Sequence, residues 1–507
     1  MEVLIDKSKK IDVLLIAEGT YPYIRGGVST WIHELVTGIE EINFGVVFLG
    51  SRREDYTEIK YKFPENLVYL LVTYLFDETE KPKPEEIEGD RKVFEYIEQL
   101  HKWFKSEEMP ELPNELKKLD FYTDFVKYSD FLYSKRAWDF ITNMYVKYAL
   151  DVSFIDYFWT IRNIHAPIWV ISNVAKRVKE FDIVHSPSTG YAGFLASLLK
   201  NHHNKPFILT EHGIYTKERK IDIINADWLK DKRLIFQREA GEIDHIRNIW
   251  IRFFFSIGKF IYNSADRIIS LFNDAKEVQI AYGADPSKCI VIPNGVDIDG
   301  LLPLVEKRPD PYPKVVGLLG RVVPIKDIKT FIKAMRITVD KVPEAQGWII
   351  GPTDEDPEYY EECRNLVEAL ELQDKVLFLG FQNIKEILPK ISLLTLTSIS
   401  EGMPLVVLEG FAAGLPCVTT DVGSCRQLIY GGLNEEDIKI GKAGEVVPIA
   451  NPQKLAESYI KLLTDENLWK EYQKNGLERV KRFYTKKMFL DNYRLIYKEA
   501  RDGRNII

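Results

Sequence analysis

The chain has 507 residues, 28% of them charged and 45% hydrophobic, with a formal net charge of -8 at pH 7. That length holds two large domains or three smaller ones, and the acidic balance excludes a general nucleic-acid binder, which needs a basic face. The four cysteines, Cys289, Cys363, Cys417 and Cys425, form no C-x-x-C pair, so they exclude a zinc or disulfide framework and read as small buried apolar residues in a reducing cytoplasm.

Met1 to Lys10 is polar and lacks the apolar core of a signal peptide. The first strand expected is Ile11–Ala17, followed by the glycine turn Arg25-Gly26-Gly27-Val28-Ser29 and a helix over Ser29–Ile39. Gly26 and Gly27 suit either a tight turn or the close approach of a ligand. Strands follow at Phe44–Leu49 and Leu67–Val72. From Thr73 to Glu180 no strand is expected. An acidic, proline-bearing stretch (Asp77 to Asp90) leads into aromatic-rich helical patterns over Asp139–Leu150 and Phe154–Val174. This is a helical insertion, and its aromatics should mostly pack inside. Strands resume at Asp182–His185, Phe207–Thr210, Arg267–Leu271 and Cys289–Ile292; His212 stands just past one of these ends, a lone histidine in a place that chemistry favours. The apolar run Trp250–Tyr262 is interrupted by Arg252 and Lys259, so no segment reaches the ~18 residues of a membrane span.

Leu301 to Lys314 carries Pro303, Pro309, Pro311 and Pro313 and reads as a linker. A second series begins after it: Val315–Leu319, Trp348–Ile350, Val376–Leu379, Leu393–Leu396, Cys417–Thr420 and Glu445–Val447, with a helical end. Continuous apolar strands alternating with helices imply parallel sheets in an α/β fold, doubly wound. The expected division is a first domain over 1–305 (insertion about 73–180), a second over 306–480, and a helix in 481–507 packing back on the first.

Two motifs in the second series carry chemistry. Gly320-Arg321-Val322-Val323-Pro324-Ile325-Lys326 follows its first strand, at the end where open α/β sheets bind ligands. Arg321 and Lys326 offer a fork and a point charge, together fit for a diphosphate. Glu401-Gly402-Met403-Pro404-Leu405-Val406-Val407-Leu408-Glu409 follows its fourth strand and opens a helix. Gly402 admits a ligand close to the backbone, Pro404 suits the first helical position, and the free N–H groups of Leu405 and Val406 make an anion site. Glu401 ahead of the helix and Glu409 inside it could bind hydroxyls at opposite ends of one ligand. The strings Asp297-Ile298-Asp299 and Asp354-Glu355-Asp356 read as loop carboxylates rather than metal ligands.

The ordered set Gly320, Arg321, Lys326, Glu401, Glu409 resembles the retaining GT-B fold glycosyltransferases of family 4; so do Ile292-Pro293-Asn294-Gly295-Val296-Asp297, Ala413-Gly414-Leu415-Pro416-Cys417-Val418 and Asp421-Val422-Gly423. The resemblance implies two Rossmann-like domains with parallel sheets facing a cleft, and a UDP-sugar as donor. It places Arg321 and Lys326 on the diphosphate and Glu409 on the ribose hydroxyls. Glu401 and the backbone from Gly402 and Met403 to Val406 would hold the hexose, with Gln382 near the base. The turn at Gly26 and Gly27 would reach the phosphates or the acceptor, and His212 would lie by the donor sugar. With two cations present, no metal and no cofactor beyond the donor are expected.

The string Glu211-His212-Gly213-Ile214-Tyr215-Thr216-Lys217-Glu218-Arg219-Lys220 resembles the PelF family of cytosolic glycosyltransferases in Pel exopolysaccharide synthesis. That implies a growing saccharide as acceptor, with Arg219 and Lys220 on its side, a role in biofilm polymer, and inner-membrane export partners met through the insertion. Two other readings stay open: a non-hydrolysing UDP-sugar epimerase on the same fold, and a catalytically silent scaffold of a synthase complex.

Overall fold

The computed structural model describes residues 1–77, 82–105, 112, 114–226, 229 and 243–503. They divide into two compact units. The first holds Met1–Ser270, Glu277–Ile290 and the stretch from Arg494; the second holds Leu271–Lys276 and Val291–Tyr493.

The first unit is built on strands β1 (Glu2–Asp6), β2 (Ile11–Glu18), β3 (Phe44–Gly50), β4 (Leu67–Tyr74), β5 (Phe181–Ser186), β6 (Phe207–Glu211), β7 (Arg267–Ser270) and β8 (Cys289–Val291). Their order is β1-β4-β3-β2-β5-β6-β7-β8. β2 to β7 pair in parallel, and every residue of β3 and β4 is buried, as apolar strands covered on both faces require. β1 was not expected. It adds antiparallel to β4, with Glu2 opposite Val72, and is mostly exposed. An edge strand with one neighbour needs no apolar run, so hydropathy does not mark it.

Within the insertion, helices α1 (Arg91–Lys105), α2 (Lys135–Tyr148) and α3 (Phe154–Arg177) share one continuous apolar core with the sheet. The Ser134 hydroxyl caps α2 by accepting from Ala137 N at 3.1 Å. Trp169 is fully buried, stacked on Phe131 at 4.5 Å, with its indole N–H donated to Val126 O. Phe140 and Tyr157 also pack inside, whereas Trp138, Ile155 and Trp159 stay 52%, 67% and 53% exposed.

The second unit carries β9 (Val315–Leu319), β10 (Gln346–Ile350), β11 (Val376–Gly380), β12 (Leu393–Leu396), β13 (Cys417–Thr420) and β14 (Gly444–Val447). They form an all-parallel sheet in the order β11-β10-β9-β12-β13-β14. The chain reverses direction across the sheet between β9 and β12, the place where such sheets open a crevice. The proline-rich stretch expected as a linker is held on this unit. Arg308, in its middle, donates to the carbonyls of Leu388, Ile391, Ala413 and Gly414. A guanidinium with four backbone acceptors fixes its segment, and the division between units falls earlier, after Ile290.

The closing helix spans Lys486–Arg501. From Arg494 it counts with the first unit, where Arg494 bonds Glu41 and Gly38 O, and the Tyr497 hydroxyl meets His185 Nδ1 at 2.7 Å. All four cysteines are buried and none is in a disulfide. No described helix is long and apolar enough to cross a membrane.

Candidate functional site

Three loops meet at the C-terminal ends of β9, β12 and β13. After β9 the chain runs through Gly320 and Arg321 to a short turn, Pro324–Lys326. Asp327 then adopts φ 45° and caps the helix Ile328–Lys341 by accepting from Thr330 N at 3.2 Å. Aspartate is one of the few residues that visit this left-handed region readily, and the cap sets where Lys326 departs from the helix. Gly351, at the end of β10, has φ 154°, and a Cβ there would lie 2.0 Å from Gly320 O, so this approach needs glycine.

The loop after β12 is stapled to that after β9. Thr397 Oγ1 donates to Lys326 O at 2.7 Å, and Ile399 N to Ile325 O at 2.9 Å. Lys326 Nζ then reaches Glu401 Oε1 at 2.5 Å, and the Ser398 hydroxyl donates to the same oxygen at 2.6 Å. The pair is largely shielded, at 21% and 15% side-chain exposure. From β13, Ser424 N donates to Gly402 O. Gly423 (φ 50°) lies so close that a Cβ would fall 2.1 Å from that oxygen. The Glu401–Gly402 peptide is therefore clamped on two sides.

The helix that follows spans Leu405–Ala412. Pro404, expected as its first residue, is instead its N-cap, with extended ψ of 109°; a helical residue there would swing the Glu401 loop off its clamps. Leu405 and Val406 are thus the first two helical residues, and their N–H groups have no carbonyl a turn earlier to meet. Val407, Leu408, Phe411 and Ala412 are buried, while Leu405, Val406 and Glu409 are half-buried. Spaced three and four apart, those three share one accessible face. Glu409 thus stands on the side where the helix opens toward an anion.

Other expected site residues behave differently. Arg321 is exposed and pairs with Glu355 at 2.5 Å, a partner that sequence reading left among loop carboxylates. Met403 is buried, its sulfur accepting from Asn294 N, so its side chain serves packing. Gln382 is exposed and donates to Leu379 O at 2.7 Å, at the end of β11. Of the aspartates in the D-x-D strings, Asp297 and Asp356 accept from Gly300 N and Tyr359 N as helix caps. Among the described residues no group of three or more His, Cys, Asp or Glu could hold a metal ion. Thr397, Ser398 and Ser424 escaped sequence reading because small hydroxyls beside a motif carry no pattern.

Gly26, Gly27 and His212 belong to the first unit. Gly26 caps the helix Gly27–Gly38 with ordinary extended backbone, and a Cβ on either glycine would meet nothing within 4 Å. Packing therefore does not demand glycine there. His212 follows β6 directly; its ring meets Trp31 edge-on at 4.8 Å, and burial pulls its pKa down to about 4. It is neutral near pH 7.

Residues 11–287, just over half of the chain, match the family described as Domain of unknown function (DUF3492), and residues 305–479 match Glycosyl transferases group 1. The chain belongs to the DUF3492 family and carries a group 1 glycosyltransferase domain. The site at β9, β12 and β13 lies wholly within that glycosyltransferase domain. Among curated proteins, the chain is 28% identical over 268 residues to the Escherichia coli UDP-Gal:alpha-D-GlcNAc-diphosphoundecaprenol alpha-1,3-galactosyltransferase, covering 50% of this chain and 60% of that one. The first such relatives are matched over 44–63% of their own length. Solved structures place the fold as GT-B. The sucrose-phosphate synthase of Thermosynechococcus elongatus aligns over 97% of this chain and 100% of its own (TM-score 0.57, 16% identity). Anabaena HepE in complex with UDP aligns over 96% and 100% (TM-score 0.58, 13% identity).

Proposed function

We propose that the chain is a retaining glycosyltransferase that moves a hexose from a UDP-sugar, UDP-glucose or a UDP-N-acetylhexosamine, to a growing exopolysaccharide of the Pel type. The observation that carries this reading is the convergence of Lys326, Glu401 and the open first turn of Leu405–Ala412 at one switch point. Arg321, Lys326 and the N–H groups of Leu405 and Val406 receive the diphosphate, and Glu409, on the same helix face, takes the ribose hydroxyls. Glu401, clamped by Ser398 and Gly423, orients the hexose. The acceptor hydroxyl attacks the anomeric carbon as the bond to the diphosphate breaks, and the leaving phosphate oxygen takes the acceptor's proton. Charge grows on the diphosphate, where fixed cations and amides act most strongly. The UDP held by HepE supports the donor class, and the string Glu211 to Lys220 the Pel assignment.

Incubation with UDP-sugars in EDTA, with and without saccharide acceptors, tests this. Metal-independent transfer or slow donor hydrolysis is expected. An isomerised donor would instead mark an epimerase, no chemistry a scaffold, and activity restored only by Mn²⁺ or Mg²⁺ would end the metal-independent mechanism. In the same proposal the enzyme is cytoplasmic and meets inner-membrane export partners through the exposed set Trp138, Ile155 and Trp159. Trp138→Glu with Trp159→Glu should release it from membranes and spare UDP binding; continued co-sedimentation would remove that role.

A further inference from the structure

Three helices of the first unit each turn one stripe of side chains toward a cavity of about 410 Å³, within the ~300–1,000 Å³ range of small-molecule sites. From α1 come His101, Lys102 and Lys105, and from α2 Met144 and Tyr148. The helix His245–Ser264 supplies His245, Asn248, Ile249 and Arg252. That spacing of three and four residues is a single helix face. Trp250 and Phe254, which line the space beyond β2 and β5, leave the same helix on its other side. The insertion and this helix therefore enclose the cavity between themselves, away from the ends of the sheet.

His101 on its wall is only 2% exposed, yet neither ring nitrogen has a hydrogen-bond partner among the described residues. The ring meets Phe140 edge-on at 5.5 Å and His165 at 5.3 Å, contacts that fix its plane and satisfy neither nitrogen. Burial, and then the charge of Lys105, holds it neutral, so one nitrogen is a donor and the other an acceptor. Buried polar groups are ordinarily satisfied. An occupant that both accepts and donates hydrogen bonds would satisfy this one.

The cations beside it indicate what that occupant carries. Lys105 Nζ lies 3.5 Å from the Tyr157 hydroxyl and over the rings of Tyr148 and Tyr157. Burial, and then the charge of Arg252, pulls its pKa down to about 8. Arg252 has a part in the fold: it donates to Lys105 O at 2.7 Å and to Asn248 Oδ1 at 3.2 Å, and so closes the C-terminal end of α1. That accounts for a cation at 252, and not for a second one desolvated beside it at 105. Lys102 and His245 stand on the same wall, paired with Glu98 at 2.6 Å and Asp151 at 3.4 Å. Like charges gathered out of water cost free energy, and a bound anion offsets that cost. A phosphate accepts several charge-assisted hydrogen bonds at once, and Met144, Tyr148 and Ile249 leave apolar faces for the rest of a small molecule.

We propose that this cavity binds a small phosphate monoester that also bears hydroxyl groups, with its phosphate at Lys105 and a hydroxyl at His101. The full chain, titrated by calorimetry at pH 7 and low salt, should bind at least one of ribose 5-phosphate and glucose 6-phosphate. Inorganic phosphate, neutral ribose and neutral glucose should each bind at least tenfold more weakly. Lys105→Met keeps the length of the side chain and removes a charge that burial penalises, so it does not endanger the fold. It should weaken the sugar phosphate at least tenfold. His101→Phe keeps a ring and removes both unpartnered nitrogens, and should weaken it about 3–10-fold; Lys105→Met carries the test alone if this variant melts below wild type. Both should keep wild-type UDP affinity, and Lys326→Ala should leave the sugar phosphate untouched. Binding lost in Lys326→Ala and kept in Lys105→Met would place the probe at the other site and overturn the proposal. So would inorganic phosphate or a neutral sugar binding as tightly as its ester, or neither ester binding at all.

Discussion

In the second unit the charged groups around the switch point are matched to each other: Lys326 to Glu401 and Arg321 to Glu355. In the first unit, Thr20 Oγ1, Ser188 Oγ, Tyr191 OH, His212 Nε2 and Arg219 Nε around the corresponding switch point are buried without a hydrogen-bond partner among the described residues. The same strand order, read from the same end, thus has two kinds of polar surroundings. Paired charges hold a loop in shape and can be handed to a charged ligand at small desolvation cost.

The largest effects should come from breaking the charged site. Lys326→Ala removes a charge-assisted bond to the diphosphate and leaves Glu401 uncompensated. A loss of about 1.5–3 kcal/mol, or roughly 10–150-fold in UDP affinity, is expected by calorimetry; Arg321→Ala should act in the same direction. Wild-type UDP affinity in both would remove the assignment. Glu409→Ala should weaken UDP itself, whereas Glu401→Ala should spare UDP and impair transfer. Titration of both with UDP and UDP-sugar decides, and the reverse pattern would mean that the ligand lies the other way round.

Acid should separate the units next. All 8 histidines lie outside 291–493, and burial depresses six of them: His165 and His212 to about 4, His185 to about 3, His101 well below its usual value, and His203 and His245 in the same direction. A histidine depressed in the fold binds fewer protons folded than unfolded. Its stabilisation is therefore full above pH 6.5 and lost as pH falls through its folded pKa, on the order of 3 kcal/mol for His165 and for His212. Glu18, Glu211 and Glu218, raised by burial, act in the opposite sense but are fewer. Hydrogen exchange near pH 5 should show α3 and β6 losing protection before β9 and β12; simultaneous loss would contradict the difference between units.

The smallest effect sharpens the comparison. Glu355→Gln frees Arg321 from an exposed partner, and pairs of that kind are worth about 0–1 kcal/mol. UDP should bind up to about fivefold more tightly, most visibly at low salt. Weaker binding would mean that Glu355 supports the site rather than competing for its cation.

Much of this molecule was written in local pattern. Continuous apolar runs placed seven strands of the first sheet and all six of the second, because strands buried on both faces have nowhere to put polar residues. Glycine, charge and spacing pointed to Lys326 and Glu401 because close approach and anion binding need those residue types. Tertiary structure decided the rest. It placed β1 on an edge where hydropathy is silent, made Pro404 a cap, and tied Arg308 to one unit. It also brought Ser398 onto Glu401, gave Arg321 a carboxylate 34 positions away, and gathered the orphan groups of Thr20, Ser188, Tyr191, His212 and Arg219 around one cavity. Polar groups scattered over five loops and helices leave no periodic trace in a sequence; only packing determines which of them find partners.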